Sequence, residues 1–125
     1  MSEPGSKHRI LIVDDEPLNR ELLRRVLQRE YDIEEAEDAA IALAVLERSD
    51  SAIELVLCDQ LMPGRSGSDL AAEVHERWPE VVFFLLTGYD DDEGVLAAQQ
   101  SGIIRGVVSK PWRASTLKTL LEQVL

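Results

Sequence analysis

The sequence predicts an α/β fold in which five parallel strands and five helices alternate as a doubly wound sandwich. Along the 125 residues, short apolar runs alternate five times with longer amphipathic stretches. Several of these runs are apolar without interruption, as expected of parallel strands that helices cover on both faces. Such regular alternation is typical of a single layered α/β domain.

The predicted strands are short, and the first, third and fourth consist almost entirely of Val, Ile, Leu and Phe. Because these strands lack the alternation of a half-exposed sheet, both of their faces are expected to be buried. The strands are predicted over residues 9–13, 32–36, 53–58, 82–86 and 106–108.

The predicted helices show an apolar stripe or a boundary signal. In the first, Pro17 occupies a position that a first helical turn tolerates, and one face carries Leu18, Leu22, Leu23, Val26 and Leu27. Acidic residues open the second and fourth helices, where the helix dipole favours negative charge. The helices are predicted over residues 18–29, 38–48, 68–78, 90–101 and 113–125.

Composition excludes several classes of function. The formal net charge of -11 repels phosphate backbones and anionic lipid, so direct nucleic-acid binding is not expected. The longest apolar run, residues 39–46, is far shorter than the roughly 20 residues that cross a bilayer, so no membrane span is expected. Cys58 is the only cysteine, which excludes an intrachain disulfide and favours a cytoplasmic location.

Residues able to do chemistry follow four of the predicted strands. Asp14 and Asp15 come after the first strand, Asp59 after the third, Thr87 after the fourth and Lys110 after the fifth. In doubly wound sheets, ligands bind beyond the carboxyl ends of the strands. The sequence therefore predicts that these five residues share one site.

The residue types favour metal-assisted phosphoryl transfer. Carboxylates of Asp14, Asp15 and Asp59 at one sheet edge repel one another, and a few carboxylates with water are the usual ligands of Mg2+. The Asp59 carboxylate is also a nucleophile suited to forming an aspartyl phosphate. Lys110 can stabilise charge on the transferring group, and Thr87 can donate a hydroxyl hydrogen bond to it.

Each of these features also has a purely structural explanation. Asp14 and Asp15 could cap the first helix, Asp59 could open a turn, and Thr87 and Lys110 could be ordinary strand exits. Short motifs of this kind are frequent by chance. Their coincidence at four strand ends favours the phosphoryl site over four unrelated explanations.

Four motifs resemble the receiver domains of two-component response regulators. They are Val-Asp-Asp-Glu-Pro at residues 13–17, Cys-Asp-Gln-Leu-Met-Pro-Gly-Arg-Ser-Gly at 58–67, Leu-Thr-Gly at 86–88 and Lys-Pro at 110–111. Their order and spacing fit that family. The resemblance implies a receiver domain over residues 9–125, preceded by a flexible N-terminal segment over residues 1–8.

The resemblance implies a flavodoxin-like (βα)5 fold and a phosphorylation switch, rather than an enzyme that turns over a separate substrate. The implied phosphodonor is a sensor histidine kinase or a phosphotransfer protein. The implied recipients of the signal are an output domain, a downstream protein or a phosphorylation-dependent homodimer. A narrower resemblance points to receivers that precede HD-GYP phosphodiesterase or NtrC-type output domains.

Carried over to this sequence, the family pattern assigns individual roles. Asp59 resembles the phosphoacceptor. Asp15 resembles a direct Mg2+ ligand, and Asp14 a ligand that acts through water. The backbone carbonyl of Leu61 resembles a further metal ligand, for which the leucine side chain is irrelevant.

Thr87 resembles the switch hydroxyl of the family, and Lys110 its lysine. The sequence departs from the pattern three residues before that lysine, where receivers usually carry Tyr or Phe and this chain has Val107. A short β-branched side chain cannot act as an aromatic rotamer switch. The signal is therefore expected to travel through the loop after Thr87 and the fourth helix, with Tyr89 taking part.

Two alternative functions can be distinguished from a phosphorylated receiver domain. HAD-type phosphatases combine an Asp nucleophile, Mg2+, Thr or Ser, and Lys, but their nucleophile follows the first strand in an Asp-x-Asp pattern. Here the acidic pair comes first, and Asp59 follows the third strand. A receiver that binds partners without being phosphorylated would be expected to lack some of the five site residues, and this chain has all five.

Overall fold

A computed structural model describes residues 7–48, 52–88 and 92–125. In that part of the chain five strands alternate with five helices, as the sequence predicts. The elements are β1 (Arg9–Val13), α1 (Pro17–Leu27), β2 (Asp32–Ala36), α2 (Ala39–Glu47), β3 (Leu55–Asp59), α3 (Gly67–Arg77), β4 (Val82–Thr87), α4 (Glu93–Gln100), β5 (Gly106–Ser109) and α5 (Ala114–Val124).

The strands form one parallel sheet in the order β2-β1-β3-β4-β5. Successive residues of a strand point to opposite faces, and both faces are covered. Leu11 and Val56 face a core shared with α2, α3 and α4. Ile10 and Leu57 face the other core, shared with α1 and α5. The doubly wound sandwich is therefore confirmed.

The order of the strands creates a switch point in the middle of the sheet. β1 and β3 are neighbours, but the chain leaves β1 for α1 on one face and leaves β3 for α3 on the other. A crevice opens at the carboxyl ends of two such strands. The loops that follow β1 and β3 therefore meet at one place.

Several element boundaries differ from the prediction, and at two of them an aspartate side chain or backbone sets the boundary. Asp59 pairs with Leu86 in the sheet, so β3 includes the aspartate instead of stopping before it. α4 is shorter than the predicted 90–101, because the side chain of Asp92 accepts hydrogen bonds from the Gly94 and Val95 N–H groups. Asp92 is therefore the N-cap of α4, and residues 90 and 91 lie outside the described residues.

The predicted flexible N-terminal segment falls largely outside the described residues, which begin at Lys7. Lys7 donates a hydrogen bond to the Gln28 carbonyl oxygen at 3.2 Å, and His8 Nδ1 lies 3.0 Å from Glu54. The proposed boundary after residue 8 stays a prediction. Among the described residues, no helix has the length and apolar character needed to cross a membrane.

Gly67 allows α3 to start directly against the end of β3. A Cβ atom at this position would lie 2.4 Å from the Asp59 carbonyl oxygen and 2.7 Å from a Leu85 methyl carbon. The Gly67 N–H also donates to the Gln60 carbonyl oxygen at 2.9 Å. The loop that follows Asp59 is thus closed by a close backbone contact that only glycine permits.

We predict that Gly67→Ala lowers the free energy of unfolding by about 1–3 kcal/mol, the usual range for overpacking. The clash is with backbone, which cannot turn away as a side chain would. Urea denaturation measures the effect. Gly88→Ala is the matched control, because an added Cβ there meets no atom of the described residues within 4 Å, its chain neighbours aside. Equal stability of the two variants would contradict the close contact.

Candidate functional site

Three carboxylates meet at the carboxyl edge of the sheet. Asp14 and Asp15 directly follow β1, and Asp59 is the last residue of the neighbouring strand β3. One carboxylate oxygen of each residue lies within 4.8 Å of the others. The structure therefore brings together the three carboxylates among the four predicted metal ligands.

Asp14 is held by the start of α1. Its Oδ1 accepts a hydrogen bond from the Glu16 N–H at 2.9 Å, and its carbonyl oxygen accepts one from Arg20 Nη1 at 2.7 Å. The residue is 1% exposed. These contacts orient a carboxylate that has almost no access to bulk water.

Burial raises the pKa of Asp14 above the ordinary value of 3.8, and the nearby charge of Asp59 adds to the increase. The Glu16 N–H, the Lys110 ammonium and a hydrogen bond with Asn19 act in the opposite direction. The ionised form of Asp14 is therefore disfavoured in the folded chain as it stands. A cation beside it would reverse that preference.

Lys110 supplies positive charge to the site. It follows β5, and its backbone N–H donates to the Thr87 carbonyl oxygen at 3.1 Å. Its Nζ reaches Oδ1 of Asp59 at 3.0 Å. One ammonium opposite three carboxylates leaves a formal excess of two negative charges in the cluster.

The oxygen donors fit a small divalent cation. Hard cations such as Mg2+ prefer carboxylate, carbonyl and water oxygens. The cluster of Asp14, Asp15 and Asp59 offers such oxygens at one point, and burial together with the charge of Asp59 disfavours the ionised form of Asp14 there. Both the chemistry of the donors and their electrostatics therefore suit the predicted Mg2+.

Thr87 and Leu61 lie at the same edge of the sheet, but Thr87 is buried and Leu61 is exposed. Thr87 ends β4 and is 1% exposed, and it lies one residue beyond the partner of Asp59 in the β3–β4 ladder. Leu61, two residues after Asp59, has a side chain that is 51% exposed. The roles predicted for the Thr87 hydroxyl and the Leu61 carbonyl stay predictions.

Cys58 is a core residue and not a nucleophile. It is fully buried, and its thiol donates to the Asp59 carbonyl oxygen at 3.2 Å. Burial raises its pKa well above 9.0, and the charges of Asp59 and Asp14 raise it further. The thiol therefore stays protonated, as is usual for a small buried residue.

Gln60 is a buried polar residue beside the site that sequence reasoning missed. It is 2% exposed and follows Asp59 directly. Its amide contacts Ser68 on α3 and Asp92 at the start of α4. The sequence signal is a single amide after an apolar strand, which does not reveal partners so distant along the chain.

The predicted relay through Tyr89 falls outside the described residues. Val107, which replaces the usual aromatic residue, is half-buried and packs against the core shared with α2, α3 and α4. It pairs with Leu85 in the β4–β5 ladder. Val107 therefore acts here as a packing residue of the sheet.

Comparison with known proteins gives consistent matches. The family model described as "Response regulator receiver domain" matches residues 10–122. The hydrogenase transcriptional regulatory protein HoxA of Cupriavidus necator is 39% identical over 116 residues, which are 93% of this chain and 24% of that protein. The chain thus spans about a quarter of the length of this relative.

Two solved structures are similar over nearly the whole chain. The signal receiver domain of an HD domain-containing protein from Pseudomonas fluorescens has a TM-score of 0.86 at 30% identity, covering 98% of this chain and 90% of that chain. The response regulator protein TrrA of Thermotoga maritima, in complex with Mg2+-BeF, has a TM-score of 0.79 at 34% identity, covering 94% and 99%.

We predict that Asp14→Asn stabilises the metal-free chain at pH 7. In the parent chain, the unfolded state ionises above pH 3.8 while the folded state keeps the Asp14 proton to a higher pH, so stability is lost as the pH rises through that window. The substitution removes this loss. The gain in the free energy of unfolding should be absent below pH 3.8. It should reach its full size above the raised pKa of Asp14.

Urea denaturation in EDTA across the acid range tests this expectation. Asp32→Asn serves as the control, because it removes a carboxylate that is exposed. A gain for Asp14→Asn that does not depend on pH would contradict an origin in the buried charge.

Proposed function

Because the chain belongs to the response regulator receiver domain family, we propose that it is a phosphorylation-dependent switch that accepts a phosphoryl group on Asp59. The family inferred from the sequence motifs is confirmed by the match over residues 10–122. The chain is accordingly a receiver domain of two-component signalling. The assignment of chemistry to individual residues is our proposal.

The observation that carries the proposal is the contact between Asp59 and Lys110 at the carboxylate cluster. Asp59 is 9% exposed at the tip of β3, and Lys110 Nζ lies 3.0 Å from its Oδ1. A nucleophile at a strand tip with a cation beside it is suited to attack a phosphoryl group and to stabilise the transferred charge. A carboxylate serving only as a turn residue would need neither the cation nor the cluster.

In the proposed reaction, an Asp59 carboxylate oxygen attacks the phosphorus of a phosphohistidine. An O–P bond forms as the N–P bond breaks, and the bonding electron pair stays on the imidazole nitrogen of the donor. The product is an acyl phosphate on Asp59 and a free histidine. Hydrolysis of the acyl phosphate by water returns the carboxylate and inorganic phosphate, so the chain catalyses only its own modification.

Two residues of other strands are proposed to hold the transferred group. Lys110 follows β5 and already reaches Asp59, so its ammonium can contact a phosphoryl oxygen with a small movement. Thr87 at the tip of β4 is proposed to donate its hydroxyl to another of these oxygens. Both contacts are stronger with a charged phosphoryl group than with the bare carboxylate, which is the requirement for a switch.

The proposed metal is Mg2+, held by Asp14, Asp15, Asp59 and the backbone carbonyl of Leu61. When bound, the ion neutralises negative charge on the phosphoryl oxygens. The carboxylate cluster and the Mg2+-BeF complex of the similar protein TrrA support this choice. Asp14 is oriented for the task by the Glu16 N–H.

The proposed phosphodonor is a sensor histidine kinase or a phosphotransfer protein. The signal is proposed to pass to an output domain or a downstream protein. HoxA is a transcriptional regulator in which the matched part is 24% of the length, and the P. fluorescens receiver comes from an HD domain-containing protein. Both cases support a role in controlling an output module, and a phosphorylation-dependent homodimer is a further form that the output can take.

We predict that incubation with acetyl phosphate and Mg2+ adds one phosphoryl group to Asp59. Intact-mass spectrometry should detect the adduct, which should survive acid and be lost in base, as expected of an acyl phosphate. Asp59→Asn should abolish labelling, because the amide is not a nucleophile. Omitting Mg2+ should lower the labelling rate by at least about tenfold, within the range for one charge-stabilising interaction.

Asp38→Asn is the matched control, since Asp38 caps α2 through the Ile41 N–H and lies outside the carboxylate cluster. It should label at the parent rate. Equal labelling of the parent chain and Asp59→Asn would place the acceptor elsewhere.

A further inference from the structure

The start of α4 is held by polar contacts as much as by apolar packing. α4 has eight residues, of which Val95 and Ala98 are buried. Leu96 is 42% exposed. A helix with so small an apolar contact is a low-stability element of the fold, and its position depends on what holds its first turn.

Gln60 connects that first turn to the strand that carries Asp59. Its Nε2 donates to Asp92 Oδ1 at 3.2 Å and to Ser68 Oγ at 3.0 Å, and its Oε1 accepts from the Ser68 N–H at 2.8 Å. Asp92 Oδ1 also accepts from the Gly94 and Val95 N–H groups at 2.8 and 3.2 Å. The same oxygen of Asp92 thus caps α4 and links its first turn to Gln60 by a hydrogen bond.

The space around Gly94 shows that the first turn of α4 lies close to Gln60 and Ser68. A Cβ atom at this position would lie 2.5 Å from Ser68 Oγ and 3.3 Å from Gln60 Nε2. Any larger residue would push α4 away from the loop between β3 and α3. The contact between Gln60 and Asp92 therefore depends on a glycine in the first turn of the helix.

We propose that Gln60 is a latch that holds the start of α4 while Asp59 is unmodified, and that phosphorylation of Asp59 releases it. The second half of this inference rests on the proposed function. The latch gives the chain a connection from the phosphoryl site to α4 that does not pass through Val107, whose side chain is too short for the aromatic movement usual in receivers.

The two ends of the latch belong to parts of the chain that respond differently to a phosphoryl group. Gln60 is anchored to α3, since its carbonyl oxygen accepts the Gly67 N–H at 2.9 Å and its amide is bonded to Ser68. Asp92 ends the connection that begins at Thr87. In the proposed release, attraction to a phosphoryl oxygen acts on Thr87 and, through the chain, on Asp92, whereas Gln60 stays bonded to α3.

Electrostatic repulsion also favours the release of Asp92 from Gln60. Phosphorylation adds negative charge to the residue that precedes Gln60. The carboxylate of Asp92, held by Gln60 Nε2, is repelled by that charge. Movement of Asp92 Oδ1 away from Gln60 also weakens its hydrogen bonds with the Gly94 and Val95 N–H groups, because the same oxygen accepts all three.

Amide hydrogen exchange at Gly94 and Val95, resolved by NMR, tests the latch. Gln60→Met keeps the length of the side chain but removes the amide. Without phosphodonor, exchange at these two amides should be about tenfold faster in Gln60→Met than in the parent chain, as expected for losing a hydrogen bond to a charged group. Ser101→Ala is the matched control, because it removes a side-chain hydrogen bond to Ala97 at the other end of α4 and should leave both rates unchanged.

Addition of Mg2+ and beryllium fluoride, a phosphoryl mimic, tests the release. The parent chain should then exchange as fast at Gly94 and Val95 as Gln60→Met does, and the variant should change little further. Fluorine NMR reports separately whether the adduct forms at Asp59. No adduct in the parent chain would refute the proposed function, while fast exchange in unmodified Gln60→Met would still support the latch.

Two results would overturn the inference. Equal exchange in the unmodified parent chain and Gln60→Met would show that Gln60 does not hold α4. An adduct that forms on the parent chain but leaves its Gly94 and Val95 exchange unchanged would show that phosphorylation does not release it. Gln60→Glu provides a second variant, since its carboxylate repels Asp92 and should also speed exchange.

Discussion

Mutual repulsion among the carboxylates of Asp14, Asp15 and Asp59 is the constraint on which the rest of the site depends. Each like-charged pair at about 4 Å costs about 4 kcal/mol at an effective dielectric constant of roughly 20. Such an arrangement persists only where the surrounding structure fixes it. Buried parallel strands fix the two strand ends, and Lys110 offsets part of the charge.

The same constraint explains why the site can respond to a ligand. Because three carboxylates face one ammonium in the cluster, a bound cation would stabilise it. In the proposed function, a phosphoryl group on Asp59 changes the local charge again and draws Lys110 and Thr87 toward its oxygens. Neighbouring elements register this change only if they are bonded to the site, and Gln60 provides such a bond to α4. In the proposed mechanism, the charge of the cluster and the position of α4 are linked through this bond.

The sequence predicted the parts of this arrangement that depend on local pattern. Continuous apolar runs predicted β1, β3 and β4. The rule that ligands bind at strand ends placed Asp14, Asp59 and Lys110 at one edge, where the structure has them. Predictions from local pattern failed at the start of α4 and at Gln60. α4 begins later than its acidic run suggested, because Asp92 caps it. Gln60 was missed because its partner Asp92 lies 32 residues away and becomes a neighbour only after folding.

Calorimetric titration with Mg2+ tests most directly whether the carboxylate cluster is a cation site. The parent chain should bind one Mg2+ in the micromolar-to-millimolar range, and at ten times the dissociation constant its free energy of unfolding should rise by about 1.4 kcal/mol. Asp15→Asn should lose both the binding heat and the stabilisation, whereas Asp38→Asn, which removes a carboxylate outside the cluster, should keep them. Mg2+ binding of equal affinity in Asp15→Asn and the parent chain would contradict the account.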